Sequence, residues 1–155
     1  MQRSTFITSL LAAAALCTLN PALAQDRGSK EEAKALVEAA VAHVKKVGAD
    51  KAYKDFSTDK ANWTKKDLYV FAFDMEGNTL AHGANEKLIG KNLSKMVDAS
   101  GQSTTTAFAN TVKTKGSGWH DYDFAHPTTK KTEAKTSYVH GLPGGQAYVG
   151  VGVYR

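Results

Sequence analysis

Apolar positions recur along this chain first with helical and then with strand periodicity. After a polar lead-in at 25–28, Ala33, Leu36, Val37, Ala40, Val41, Val44 and Val47 return every three or four residues. Lys34, Glu38 and Lys45 fall off that stripe. The spacing predicts one amphipathic helix. Ser29-Lys-Glu-Glu32 has the form of a capping box at its start, and Gly48 supplies a left-handed cap at its end. His43 lies on the rim of the stripe, as an ordinary, partly covered helix residue. A second, shorter helix is expected over 50–56, burying Ala52, Tyr53 and Phe56. Residues 57–66 read as a loop with Trp63 tucked against the core.

From Asp67 the period changes. Leu68 to Phe73 is a continuous apolar and aromatic run, which implies burial on both faces. Asp74-Met-Glu-Gly77-Asn78 reads as a hairpin turn, with 79–82 as the returning strand. Between 83 and 101, Leu88, Ile89, Leu93, Met96 and Val97 are spaced like short helical turns between glycines. A weaker helix over 102–113 buries Ala107, Phe108 and Val112. Strands at 116–124 and 133–140 then pair around a His126-Pro127 turn. After Gly141-Leu-Pro-Gly-Gly145 a last strand runs over 146–154. This order predicts an α+β fold: a PAS-like, five-stranded antiparallel sheet, the long first helix on one face and the middle segment roofing the other.

The first 24 residues stand apart from that pattern. Arg3 gives a short basic start, Phe6 to Leu19 an apolar run, and Pro21 precedes Ala22-Leu23-Ala24, a small-x-small cleavage site. The run is too short for a stable membrane anchor. A cleaved export signal at 1–24 and a single domain at 25–155 are therefore expected, with a periplasmic or secreted product. Cleavage removes Cys17, the only cysteine, so the mature chain has no disulfide and no thiolate. It also removes one arginine and no acid, taking the net charge from +5 to +4. The lysines are scattered (Lys45-Lys46, Lys65-Lys66, Lys130-Lys131) rather than gathered in a tract, a solvated surface rather than a nucleic-acid face.

The usual equipment for chemistry is missing. His82, His120, His126 and His140 are dispersed, with no paired spacing and no cysteine partner, so no metal site or other cofactor is expected. Ser94, Ser100, Ser103, Ser117 and Ser137 lack an elbow motif. Gly116-Ser-Gly118 and Gly141 to Gly145 precede strands rather than helix starts, which makes them turns and not phosphate loops. Asp121 and Asp123 share a strand face without an acid–base partner. A binding module is expected, not an enzyme.

The segments DLYVFAFDMEGNTLAHG, IGKNL, GSGWHDYDFAHP, KTSYV and the closing VGVGVY together resemble a single Cache domain, over roughly residues 30–155. These are extracytoplasmic sensor modules of bacterial chemoreceptors and histidine kinases. The resemblance implies a PAS-like sheet and a pocket for a small organic ligand, often a short carboxylate. With no output domain after Arg155, occupancy is expected to be reported through a separate partner, such as a membrane histidine kinase or chemoreceptor.

Six side chains are candidates for that pocket. Lys135 shares a strand face with Ser137 and Val139, and a mid-strand lysine either snorkels to water or meets an anion. Tyr138 has the opposite parity, so both reach one cavity only across a bulge or twist. Tyr122 would donate a hydrogen bond, and Trp119 an indole donor and an apolar wall; aromatic core filling is the alternative for each. His82 ends the second strand and is either a donor to a ligand or a buried histidine bonded to backbone. Tyr69 shares a face with Phe71 and Phe73 as pocket wall. The rival reading is an interaction module whose pocket is filled by its own side chains and whose first helix pairs with a copy of itself, as a homodimer, or with a receptor.

Overall fold

The computed structural model describes residues 27–155; the expected export signal at 1–24 lies outside the described residues. Helix α1, Lys30–Val47, opens on the capping box. The Ser29 hydroxyl accepts from the Glu32 amide, and the Glu32 carboxylate accepts from the Ser29 amide at 3.0 Å. Its end differs from expectation. Gly48 has φ +85° and ψ 160°, an extended glycine-only conformation and not the left-handed helical one. It lets the chain turn at one residue from α1 into α2, Ala49–Thr58.

The stretch expected as a loop is ordered. Helix α2 continues to Thr58, then come one turn of helix, α3, Lys60–Trp63, and a two-residue strand, β1, Thr64–Lys65. The Asp59 carboxylate caps α3 by accepting from the Asn62 amide. The Trp63 ring meets Phe56 edge-on, with centroids 4.7 Å apart. Local capping and the packing of Trp63 on Phe56 and His43 thus order a segment whose sequence carries no clear period.

Strands β2 (Leu68–Asp74), β3 (Thr79–His82), β4 (Ser117–Ala125), β5 (Thr132–Gly141) and β6 (Ala147–Tyr154) complete an antiparallel sheet in the order β1-β2-β6-β5-β4, with β3 also paired to β2. It has the five expected strands and, in β1, a short sixth. The last strand lies at the centre, between β2 and β5.

The two-residue strand period gives the sheet two different faces. Leu68, Val70 and Ala72 join Val149 and Val151 in a core with Val37, Ala40 and Val44 of α1. Tyr69, Phe71 and Phe73 turn the other way, joining Tyr122, Val139 and Tyr148 beneath Phe108 and Val112 of α4, Thr104–Lys115. Strand β6 is asymmetric in the same sense, with valines toward α1 and Gly150 and Gly152 among its residues of opposite parity. A Cβ at Gly150 would lie 2.4 Å from the Phe71 ring, and one at Gly152 2.2 Å from Cε of Lys135.

The segment between β3 and α4 is less helical than its spacing suggests. It holds a single 3-10 turn, Glu86–Leu88, and two isolated bridges, Asn78 to Asn92 and Val97 to Ser103. Polar side chains explain the difference. Asn85 accepts from the Lys87 amide, Asn92 from the Ser94 amide, and Asp98 from the amides of Ser100 and Gln102. Such local bonds offer the backbone an alternative to helix. No helix among the described residues is long and apolar enough to cross a membrane.

Candidate ligand-binding site

Between the aromatic face of the sheet and the 84–103 segment lies a cavity of about 830 Å³. Tyr69 and His82 line its floor, Leu88, Met96 and Val97 its roof, and Phe124, His126 and Pro127 its far side. Beneath it is an inner space of only about 30 Å³, bounded by Phe71, Phe73, Leu93, Phe108 and Tyr122. The inner part is therefore nearly filled by aromatic rings, while the outer part is open.

Lys135 is the unusual group. It is 1 % exposed, yet no carboxylate among the described residues comes within ion-pair distance. Its side-chain nitrogen lies 2.7 Å from the Tyr69 hydroxyl, 3.3 Å from the Tyr154 hydroxyl, and 4.3 Å from the centroids of both rings, with the Phe124 ring at 5.4 Å. Gly152 makes this possible. Lys135 starts on β5 and passes over β6, where only a residue without a side chain leaves room, to reach Tyr69 on β2. Burial pulls the Lys135 amine down to about 7, with the Asp67 carboxylate opposing. Lys135 itself borders neither space. It sits one layer behind the cavity wall formed by Tyr69 and Phe124.

Both histidines of the cavity are held in one tautomer. Nδ1 of His82 accepts from the amides of Ala84 and Asn85, at 3.3 and 3.0 Å. Nδ1 of His126 accepts from the amides of Thr128 and Thr129, at 3.2 and 3.3 Å. Each neutral ring therefore carries its proton on Nε2. Burial pulls His82 down to about 3, with the charges of Lys135 and Lys60 adding to it. Nε2 of His126 is buried without a partner among the described residues.

Of the six candidates, the fold brings together Tyr69, His82, Tyr122 and Lys135. Tyr122 reaches only the inner space, where its hydroxyl lies 2.9 Å from Ser137 Oγ; burial raises its pKa. Trp119 and Tyr138 belong to the opposite face and do not reach the cavity. Their rings meet at 5.3 Å under α1, with Lys30 and Lys34 above them at 5.1 and 5.7 Å. The strand pairing is regular there, Trp119 opposite Tyr138 and Tyr122 opposite Lys135, so no bulge turns either ring around. Tyr154, Phe124, His126 and Gly152 were missed. The alternation in VGVGVY signals Gly152 and Tyr154, but no local pattern marks His126 or Phe124. Among the described residues, no group of three or more acidic, histidine or cysteine side chains is arranged to hold a metal ion.

A PAS-like sheet with a roofed cavity on one face is the architecture of a Cache sensor module, and the comparisons agree. The chain belongs to the Single Cache domain 2 family, whose model matches residues 11–155. It is similar to the crystal structure of a methyl-accepting chemotaxis protein from Vibrio parahaemolyticus RIMD 2210633, at 26% identity over 81% of this chain and 87% of that one, with a TM-score of 0.69. It is also similar to the periplasmic sensor domain of a chemotaxis protein, at 30% identity over 78% and 91%, with a TM-score of 0.64. A curated relative, the sensor histidine kinase MctS of Rhizobium johnstonii, is 33% identical over 89 residues, which is 57% of this chain. The matched part spans only 19% of that kinase. The chain is thus a Cache sensor domain, related to the sensor domains of chemotaxis receptors and histidine kinases.

Proposed function

We propose that this chain binds a small organic acid outside the cytoplasm and reports its presence through a separate signalling partner. The observation that carries this reading is a cavity of about 830 Å³ backed by a buried lysine that, among the described residues, has no carboxylate within ion-pair distance. A ligand carboxylate on the Tyr69 hydroxyl and the Nε2–H of His82 would sit one residue layer from that lysine. In a low-dielectric interior the attraction remains substantial at such a distance. One paired charge with a few hydrogen bonds amounts to roughly 4–8 kcal/mol net, or affinities between about millimolar and micromolar. The mature chain would begin at Gln25 after export and work in the periplasm or outside the cell. A membrane histidine kinase or chemoreceptor is the partner chemistry this family suits, and α1 is the element available for a homodimer.

The test is a thermal-shift screen of the mature protein against acetate, propionate and pyruvate, followed by calorimetry. A rise in melting temperature with at least one acid, abolished by Lys135→Met, is the expected result. The nearly filled inner space favours a second reading, in which the domain acts only as an interaction module. A stable dimer that no acid stabilises would select that reading instead.

A further inference from the structure

The cavity's polar groups do not fully serve a protonated Lys135. An ammonium has three N–H groups, and the described residues offer it two acceptors, the hydroxyls of Tyr69 and Tyr154. The Tyr154 proton is already committed to the Ala125 carbonyl at 2.9 Å, so its oxygen can only accept from Lys135. A neutral amine brings two N–H groups and one lone pair to the same two hydroxyls, to either of which it is hydrogen-bonded without carrying a charge. The ammonium, 1 % exposed and with no carboxylate within ion-pair distance among the described residues, is an uncompensated buried charge. The empty site therefore suits the amine, and a site holding an anion suits the ammonium.

We infer that anion binding and protonation of Lys135 are one linked event, so that the domain takes up a proton as it binds a carboxylate and its affinity falls as the medium becomes alkaline. The inference rests on the carboxylate reading above and adds its regulation.

Among the described residues, the tyrosines and His82 packed around Lys135 are poor recipients of that proton. On β2, Tyr69 is held protonated, its pKa raised well above the ordinary value by burial. On β4, burial raises Tyr122 likewise, and Phe124 carries no charge. On β6, Tyr154 is pushed up to about 12. On β3, charging His82 would turn Nδ1 from acceptor to donor and break both of its amide bonds. In the β4–β5 turn, the His126 ring packs on Tyr154 with centroids 4.5 Å apart. Asp67, ahead of β2, already accepts from the Gly28 amide at 2.7 Å through one carboxylate oxygen. Lys87, Asp98, Asp123 and Lys130 stand at the cavity rim.

The direction follows from linkage. With the empty-state pKa of Lys135 near 7, binding below pH 7 finds the group charged and takes up little. Above pH 7 each binding event draws one proton from solvent, and affinity falls by up to about tenfold per pH unit until the pKa of the bound state is reached.

The experiment is calorimetric titration of the mature chain with acetate, propionate and pyruvate at pH 6, 7, 8 and 9. Each is run in two buffers of different ionisation enthalpy, so that the heat difference counts protons. Uptake near zero at pH 6 and approaching one at pH 8, with affinity falling in step, is expected. Lys135→Arg, always charged, should bind without uptake. Should that variant fail to fold, the ¹³Cε shift of Lys135 followed against pH in the free and bound wild type reads the same linkage directly. Binding with no uptake and unchanged affinity from pH 6 to 9 overturns the inference while leaving the carboxylate reading intact. No binding of any acid at any pH overturns both.

Discussion

The Tyr69 hydroxyl and the side-chain nitrogen of Lys135 are hydrogen-bonded at 2.7 Å, although the two residues are 66 positions apart and β6 runs between their strands. This bond ties the floor of the cavity to the only fully buried lysine among the described residues. Tyr69→Phe leaves Lys135 with the Tyr154 hydroxyl alone. A loss of about 1–3 kcal/mol in urea unfolding is expected, the scale of stranding a buried polar group. Carboxylate affinity should drop by about tenfold, corresponding to one charge-assisted contact. Stability equal to wild type would show that the bond is not made in solution.

The lane over β6 is testable by filling it. In Gly152→Ala the new methyl would meet Cε of Lys135 at 2.2 Å and Ser137 Oγ at 2.5 Å. Overpacking of this kind costs about 1–3 kcal/mol. Shortening Lys135 to alanine in the same chain should restore part of the loss, so the double variant should be less destabilised than the sum of the singles. Strict additivity in denaturant melts would count against the crossing of Lys135 over Gly152.

Acid should act on the fold through His82. Its pKa lies near 3 in the folded chain against an ordinary 6.5. Between those values the unfolded chain holds a proton that the folded one lacks, so stability is present above about pH 6.5 and is lost as pH falls toward 3. His82→Asn keeps an acceptor for the Ala84 and Asn85 amides without the titration. Its melting temperature should therefore fall less than wild type between pH 7 and pH 4, and parallel curves would refute the assignment.

Lys135 acts in the alkaline direction on the ligand-free protein. Folded, it releases its proton near 7; unfolded, it keeps it to about 10.5. Stability from this group therefore rises with pH from about 7 upward. Melting curves of the empty domain between pH 6.5 and 9 should show that gain, and Lys135→Met should flatten it.

The two aromatic faces should separate cleanly. Trp119→Ala removes a ring packed on Tyr138 under α1, and a loss of about 1–3 kcal/mol is expected from partial core truncation. Affinity for any acid bound in the cavity should stay within about twofold, since nothing there touches it. A large loss of binding at preserved stability would place Trp119 in the site after all.

Periodicity alone determined most of the architecture. The stripe from Ala33 to Val47, the capping box at Ser29, the run from Leu68 to Phe73 and the alternation in VGVGVY each encode a local preference that the fold keeps, because burial of one face demands it. Strand parity also held the key to Trp119 and Tyr138, since each is three residues from Tyr122 or Lys135 and side chains an odd number of residues apart cannot share a face without a bulge. Tertiary structure alone decided the rest. The cage around Lys135 draws Tyr69, Phe124 and Tyr154 from three strands, and the paired amides that bond to Nδ1 of His82 and of His126 depend on how each turn closes. The sheet order that puts the last strand at its centre brings those residues together, and no local pattern records which distant strand a side chain will meet.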